Sequence, residues 1–213
     1  MLDASVTNWR LEQYLNAVDL TKPKLIEFDQ IGDPSLQEYN AKHEHSDVGR
    51  AAIVLAVSAF DHYFTARFAE CVVPLVKKGQ VGQDLCKFLS EAGLDVKSAL
   101  ELMTMQRPNR RIRKLVDDQL QRTVTQQFKA IDKLFKLISI PNLSDAVQDK
   151  TGRKTLNRSI QKLIDRRHLI AHRGDLNRHA KLWDLDPKEI AKRFADAKLF
   201  VDTAEQIIAV RMT

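Results

Sequence analysis

The most restrictive feature of the sequence is an apolar run at residues 51–60, in which Ser58 is the one polar side chain. The helical pattern begins at a cap, Ser46 or Asp47, and continues to at least residue 71 and as far as residue 78, with a kink predicted at Pro74. A helix that is apolar on nearly every side must be surrounded by other elements. The run is about half as long as a bilayer-spanning helix requires, so we expect it at the centre of a bundle.

Glycine and proline are scarce, with seven and six copies among 213 residues, and this favours long helices over β structure. A chain of this length with 44% hydrophobic residues can bury one sizeable core. We therefore predict an all-α fold and a single domain over residues 1–213. An N-terminal helix and connection would occupy residues 1–45, and a core bundle residues 47–210. The sequence opens with neither a basic segment nor a signal-type apolar stretch, which predicts a cytoplasmic protein with no membrane partner.

Capping and stop signals divide the chain into helices. Asp95 and Asp186 are placed to cap helix starts, and Gly93 and Gly174 to close helix ends. Besides the central helix we expect helices at residues 6–18, 83–92, 95–105, 108–138, 144–150, 153–172 and 187–210. We expect residues 21–45 to form a mostly irregular connection with a short helix near Leu36. We expect the helical stretch 108–138 to be broken near residues 123–125.

Two cysteines, Cys71 and Cys86, each lie in an apolar helical stretch and do not form a Cys-x-x-Cys pair. We expect two buried free thiols and neither a disulfide framework nor a zinc knuckle. The sequence also lacks the glycine-rich patterns of P-loops and dinucleotide sites and the Gly-x-Ser-x-Gly of esterases. No cofactor is therefore predicted.

The net charge of +6 is concentrated in two basic clusters, which makes a polyanionic partner such as nucleic acid plausible. Residues 150–181 contain ten Lys or Arg against two acids, so this segment is the stronger candidate. The second cluster contains no acid and consists of Arg107, Arg110, Arg111, Arg113 and Lys114. We expect Arg166, Arg173, Arg110, Arg111 and Arg113 to contact the nucleic acid, although a solvated helix start is the default interpretation of the second cluster.

An arginine interrupts the apolar face of the helix at residues 153–172. On a helical wheel, Arg167 falls in the middle of the stripe formed by Leu156, Ile160, Leu163, Ile164, Ile170 and Ala171. A buried guanidinium needs a carboxylate or must line a cleft that receives an anion. The central helix carries a matching polar stripe, Ser58, Asp61, His62 and Thr65, and Asp61 is the predicted partner of Arg167. An internal salt bridge without chemistry would explain this pattern equally well.

Two histidines lie near the end of the same helix. His172 sits where the helix dipole favours a cation and where the break at Gly174 can leave its ring in a cleft. A lone histidine at a helix end is ordinarily only a favourable cap. His168 and His172 also have the i, i+4 spacing of a zinc pair, but no glutamate follows His168 and no third ligand is nearby. We therefore predict no metal.

The stretch from Ile164 to Asp175 resembles the Arg-x(4-6)-His signature of the HEPN superfamily, with Arg167, His168 and His172 matching the arginine, the polar residue after it and the histidine. Residues 56–64 resemble the early HEPN helix that contributes a polar or acidic residue to the site. Within the superfamily, the chain is most similar to the RiboL-PSP-HEPN type. The matching motifs span about twenty residues, whereas the architectural likeness covers residues 47–210.

The resemblance implies a helical bundle with peripheral helices, paired about a two-fold axis, that cleaves RNA without a metal. The ribose 2′-OH would attack the adjacent phosphate and leave 2′,3′-cyclic phosphate and 5′-OH ends. Arg167 and His172 would be catalytic, and His168, Asp61, Ser58 and His62 would support them. Arg167 and His172 are about 140° apart on an ideal helix, so joint action requires a long arginine reach or a second copy of the chain.

Two alternatives remain open. The chain could be a non-catalytic HEPN-like module that binds RNA or a protein, with Arg167 and His172 structural. The chain could also be the target of an antitoxin or inhibitor protein, since the endoribonuclease itself could serve as a toxin or antiphage effector. One such partner class, a nucleotidyltransferase that modifies a tyrosine two residues after the histidine, is disfavoured because this chain has Gly174 there.

Overall fold

The computed structural model describes residues 34–121, 127–179 and 181–212, and in this part of the chain the regular structure is entirely helical. The helices are α1 Pro34–Lys77, α2 Gln83–Glu91, α3 Val96–Thr104, α4 Pro108–Leu120, α5 Phe128–Lys136, α6 Leu143–Thr151, α7 Leu156–Arg173 and α8 Pro187–Met212. The prediction of an all-α fold is confirmed. The helix predicted at residues 6–18 and the break predicted at residues 123–125 lie outside the described residues.

The long helix α1 is the centre of the bundle, as its apolar run predicted, and it packs against α4, α5, α7 and α8. Its start was predicted wrongly, because the helix begins at Pro34 and not at Ser46 or Asp47. The segment 34–48 contains no proline after its first position and no glycine, and proline is tolerated in a first helical turn. The irregular connection predicted for residues 21–45 is therefore helical from Pro34 onward.

Aromatic rings from α1, α5 and α8 form the centre of the core. Phe64 of α1 lies edge-on to Phe135, with ring centroids 5.9 Å apart, and to Phe200, at 5.8 Å. Phe60 contacts Phe64 at 5.0 Å and Phe200 at 5.7 Å. Each fully buried ring contributes about 1.5–3 kcal/mol to folding. The core therefore fixes the rotation of α1 about its own axis, and with it the direction in which the polar side chains of α1 point.

A polar network joins α1 to α8 beside this core. Glu205 of α8 accepts a hydrogen bond from Tyr63 at 2.6 Å and two from Arg67 at 2.8 Å each. Burial and the hydrogen bond to Glu205 raise the pKa of Tyr63 well above its usual range. The phenol therefore remains a neutral donor, and the two-pronged Arg67 contact aligns the two helices.

Several predicted helix ends agree with the structure. Asp95 caps α3, since its carboxylate accepts from the amide of Ser98 at 2.8 Å. Asp186 accepts from the amide of Lys188 at 2.9 Å and opens α8. Gly174 ends α7 in the left-handed conformation with φ of 59°, which glycine adopts without strain. The polar segment after α7 is thereby turned back toward the bundle.

The two cysteines differ in environment, so the prediction of two buried thiols was half wrong. Cys71 lies in the core, whereas Cys86 is exposed on α2. In α2 the buried residues are Leu85 and Leu89, and Cys86 follows Leu85 by about 100° around the helix. Short apolar stretches of this kind do not reveal which side chain turns outward. Among the described residues, no helix is both long and apolar enough to cross a membrane.

We predict that only one thiol per native chain reacts with dithiobis(nitrobenzoate) at pH 8. Burial raises the pKa of Cys71 to about 11, so this thiol is protonated as well as shielded. A Cys86→Ser variant should show no fast reaction when folded and one thiol when unfolded in guanidinium. Two fast thiols in the native wild type would contradict the burial of Cys71.

Candidate active site

Helix α7 presents one face to the core and the opposite face to the surface. The buried side chains are Leu156, Ile160, Leu163 and Ile164, and they face α1 and α8, against which α7 packs. This spacing follows the helical period and anchors the first half of α7 firmly. The last two turns, residues 166–173, are less buried and carry the residues that sequence analysis selected.

His168 and His172 lie side by side on the exposed face of α7. Their ring centroids are 4.3 Å apart, and the ring planes are inclined at 48°. Residues four apart share a helix face, so the sequence correctly placed the two rings together. No group of three or more His, Cys, Asp or Glu side chains in the described ranges is arranged to hold a metal ion. The two imidazoles therefore form an accessible pair at the carboxyl end of α7, where the helix dipole favours positive charge.

Arg167 occupies the boundary between the two faces. Its side chain is half-buried, and its Nε atom is buried. Asp61 is also half-buried and lies on α1, the helix against which α7 packs. That Asp61 is the partner of Arg167 stays a prediction. Arg167 is half-buried and His172 is exposed, which agrees with their separation around the helix. The Nε atom of Arg167 lies on the inner side, and the imidazole of His172 faces solvent.

The other polar residues predicted on α1 lie on its outer side. Ser58 is exposed and donates its hydroxyl to the carbonyl of Val54 at 2.8 Å, within its own helix. His62 is exposed, and Thr65 donates to the carbonyls of His62 at 2.9 Å and Asp61 at 3.2 Å. The polar stripe on α1 thus exists, and much of its hydrogen bonding stays within α1. Support of a site by Ser58 and His62 stays a prediction.

A buried ion-pair cluster that sequence analysis missed fixes the end of α7. We call Arg50, Arg166 and Asp175 the Asp175 cluster. The Asp175 side chain is fully buried, and its Oδ2 accepts from Nε of Arg50 and from a terminal nitrogen of Arg166, at 2.8 Å each. Both arginines also donate to the carbonyl of Trp183, at 2.7 Å and 3.1 Å. The cluster connects α1, α7 and the segment after α7.

Only weak signals in the sequence pointed to this cluster. Asp175 follows the helix-closing Gly174 directly, and Arg50 is the one charged residue between Val48 and Phe60. The two lie 125 positions apart, so no local pattern pairs them. We predicted that Arg166 contacts RNA; one of its terminal nitrogens binds Asp175, and its Nε is buried. An RNA contact by Arg166 stays a prediction.

Residues 175–177 pair with residues 181–183 as the two arms of a short hairpin. The amide of Trp183 donates to the carbonyl of Asp175 at 3.1 Å, and the amide of Asn177 donates to the carbonyl of Lys181 at 2.8 Å. An antiparallel bridge joins Leu176 to Leu182. The hairpin begins three residues after His172, and the side chains of Arg173, Arg178 and Lys181 are exposed at its base and tip. Positive charge therefore adjoins the histidine pair.

The second basic cluster lies on α4. Arg110 and Arg111 are exposed in its first turn, whereas Arg113 is half-buried and binds Asp117 one turn further on, at 3.2 Å. Pairs of this kind on a helix surface contribute only a few tenths of a kcal/mol. Contact of these three arginines with RNA stays a prediction. Arg110 and Arg111 are more exposed to solvent than Arg113.

Comparison with known proteins gave one match. The model of a protein family described as RiboL-PSP-HEPN matches residues 9–210, which include the central helix, α7 and the hairpin. No curated protein and no solved structure matches the chain.

We predict that Asp175→Asn lowers the free energy of unfolding by about 3–5 kcal/mol, because it removes the one buried carboxylate that Arg50 and Arg166 both bind. Asparagine has nearly the same shape and tolerates the left-handed backbone of Asp175, with φ of 59°. Urea denaturation followed by helical circular dichroism measures the change. The matched control is Asp184→Asn, an exposed acid in the same segment, which should stay within about 0.5 kcal/mol of wild type. Equal effects of the two substitutions would refute the structural role of the cluster.

Proposed function

Because the chain belongs to the RiboL-PSP-HEPN family, we propose that it is an endoribonuclease that cleaves RNA without a metal ion and leaves 2′,3′-cyclic phosphate and 5′-OH ends. Family membership by itself supports the broader statement that the chain is a nuclease or an RNA-binding module. The finer assignment depends on the residues at the end of α7.

The observation that carries the proposal is the exposed pair His168 and His172, with ring centroids 4.3 Å apart, on the helix end that also carries Arg167. Imidazole can take up or release a proton near neutral pH. An exposed imidazole is open to a polymer as large as RNA, which cannot enter a closed pocket. Basic side chains next to the pair would attract the phosphate backbone.

In the proposed reaction, a histidine removes the proton of the ribose 2′-OH, and the resulting oxygen forms a bond to the adjacent phosphorus. The bond from phosphorus to the 5′ oxygen breaks, and this oxygen receives a proton from a second acid. Negative charge increases on the phosphate oxygens in the transition state. Arg167 would bind two of these oxygens and stabilise that charge.

One base and one acid are required, and we propose that they come from two copies of the chain. Two α7 ends facing each other across a two-fold axis would place the His172 side chains of both copies at one phosphate. The half-buried position of Arg167 and the exposed position of His172 support this arrangement, since a single copy does not present both on one face. His168 would orient Arg167 or contact the phosphate. Asp61, on the neighbouring helix α1, would bind the guanidinium of Arg167.

We predict that His172→Ala lowers the rate of RNA cleavage by about 10²–10⁴-fold, the contribution typical of a general acid or base. Arg167→Lys should lower it on the order of 10²-fold, because lysine keeps the charge and loses the two-pronged contact. A labelled mixed-sequence RNA is incubated with each protein in excess EDTA, and product ends are determined chemically. His45→Ala, which removes a histidine from α1 outside the motif, should cut at the wild-type rate.

Circular dichroism and sedimentation of each variant establish that fold and oligomeric state are unchanged. Cleavage that survives EDTA, requires His172 and yields cyclic phosphate supports the nuclease. Equal cleavage by wild type and His172→Ala would indicate a contaminating nuclease and refute the assignment. RNA binding without cleavage by the wild type would replace it with the non-catalytic module.

A further inference from the structure

Trp183 has an exposed side chain, although hydrogen bonds fix its main chain. Its side chain is 49% exposed at the end of the hairpin, although indole is large and apolar and is mostly buried in folded proteins. Its main chain is fixed on both sides: the amide donates to Asp175, and the carbonyl accepts from Arg50 and Arg166. An exposed aromatic ring on a fixed backbone can bind a ligand with little loss of conformational entropy.

These hydrogen bonds also tie Trp183 to residues that adjoin the proposed catalytic residues in the sequence. Arg166, which binds the carbonyl of Trp183, directly precedes Arg167 in α7. Asp175, which accepts from the amide of Trp183, follows His172 by three residues. The main chain of Trp183 is thus bonded to residues on both sides of the Arg–His motif.

The charge around the ring favours a polyanion over an apolar partner. Arg173, Arg178 and Lys181 are exposed, and the one carboxylate between positions 173 and 183, that of Asp175, is fully buried and bound to two arginines. The exposed Asp184 follows on the other side. An aromatic ring set among cations is the combination that proteins use for single-stranded nucleic acid, in which bases stack on the ring and cations contact phosphates.

We propose that Trp183 is a stacking platform for an unpaired base of the RNA, adjacent to the phosphate that is cut, and that Arg173, Arg178 and Lys181 bind the neighbouring phosphates. A base inside a duplex has both faces covered, so the platform selects single-stranded over double-stranded substrates. The inference rests on the proposed function insofar as RNA is the ligand, but it concerns binding and substrate choice, not the chemical step.

Binding is measured with a 2′-O-methyl RNA oligonucleotide, which lacks the attacking hydroxyl and cannot be cut by the proposed reaction. The chain has two tryptophans, and a Trp9→Phe background leaves Trp183 as the one indole reporter. We expect the single strand to quench Trp183 fluorescence on binding, and the same sequence in a duplex to bind more weakly. Trp183→Leu, followed by anisotropy of a labelled oligonucleotide, should raise Kd roughly 5- to 150-fold, and Trp183→Phe should raise it less.

The control is Leu176→Ala, which removes another partly exposed apolar side chain from the same hairpin, 44% exposed, and should leave Kd unchanged. Lys181→Gln should weaken binding and reduce its dependence on salt. If Trp183→Leu binds and cuts as the wild type does, the platform is refuted and the nuclease stands. If Trp183→Leu instead dissociates the protein into monomers in sedimentation velocity, the ring belongs to a subunit interface and the platform is also refuted. If the wild type neither binds nor cuts RNA, both proposals fail.

Discussion

The carboxylate of Asp175 is the interaction on which the region around the candidate site depends. Moving this charge into the interior is unfavourable unless opposite charges and hydrogen bonds accompany it. Arg50 and Arg166 provide both, and Asp175 in turn balances the charge of these two guanidinium groups. Because both arginines also bind the carbonyl of Trp183, α1, the end of α7 and the hairpin form one unit. The exposed histidines thus lie on a helix end that this unit connects to α1 and to the hairpin.

Features that depend on neighbouring residues were predictable from the sequence. The apolar run at residues 51–60 predicted a central helix, and Asp95 and Gly174 predicted helix boundaries, because capping and helical periodicity act over one or two turns. The pairing of His168 with His172 is of the same kind. The wheel placed Arg167 in the middle of the apolar stripe, whereas its side chain is only half-buried, because the last two turns of α7 are less covered by other helices than the first half.

Features that depend on distant residues were not predictable. Arg50 and Asp175 meet only because α1 and α7 pack together in the folded chain, and no spacing rule connects them. The outward position of Cys86 depends on which side of the short α2 faces the bundle. The start of α1 at Pro34 was missed for a third reason. The segment 34–48 has several polar residues and no clear helical period of apolar residues, so from the sequence alone it resembles a loop.

The left-handed backbone at Gly174 and Asp175 limits the transfer of this site to another protein. The motif, the turn and the hairpin form one continuous stretch, residues 166–183, and would move together in a recombination event. Asp175 in that stretch would then arrive with a buried charge and a sparsely populated backbone conformation, but without Arg50, which belongs to α1. The stretch would keep the pair of Arg166 and Asp175 but lose the second cation of the cluster. A host scaffold would have to supply that second cation from its own central helix to restore the full cluster.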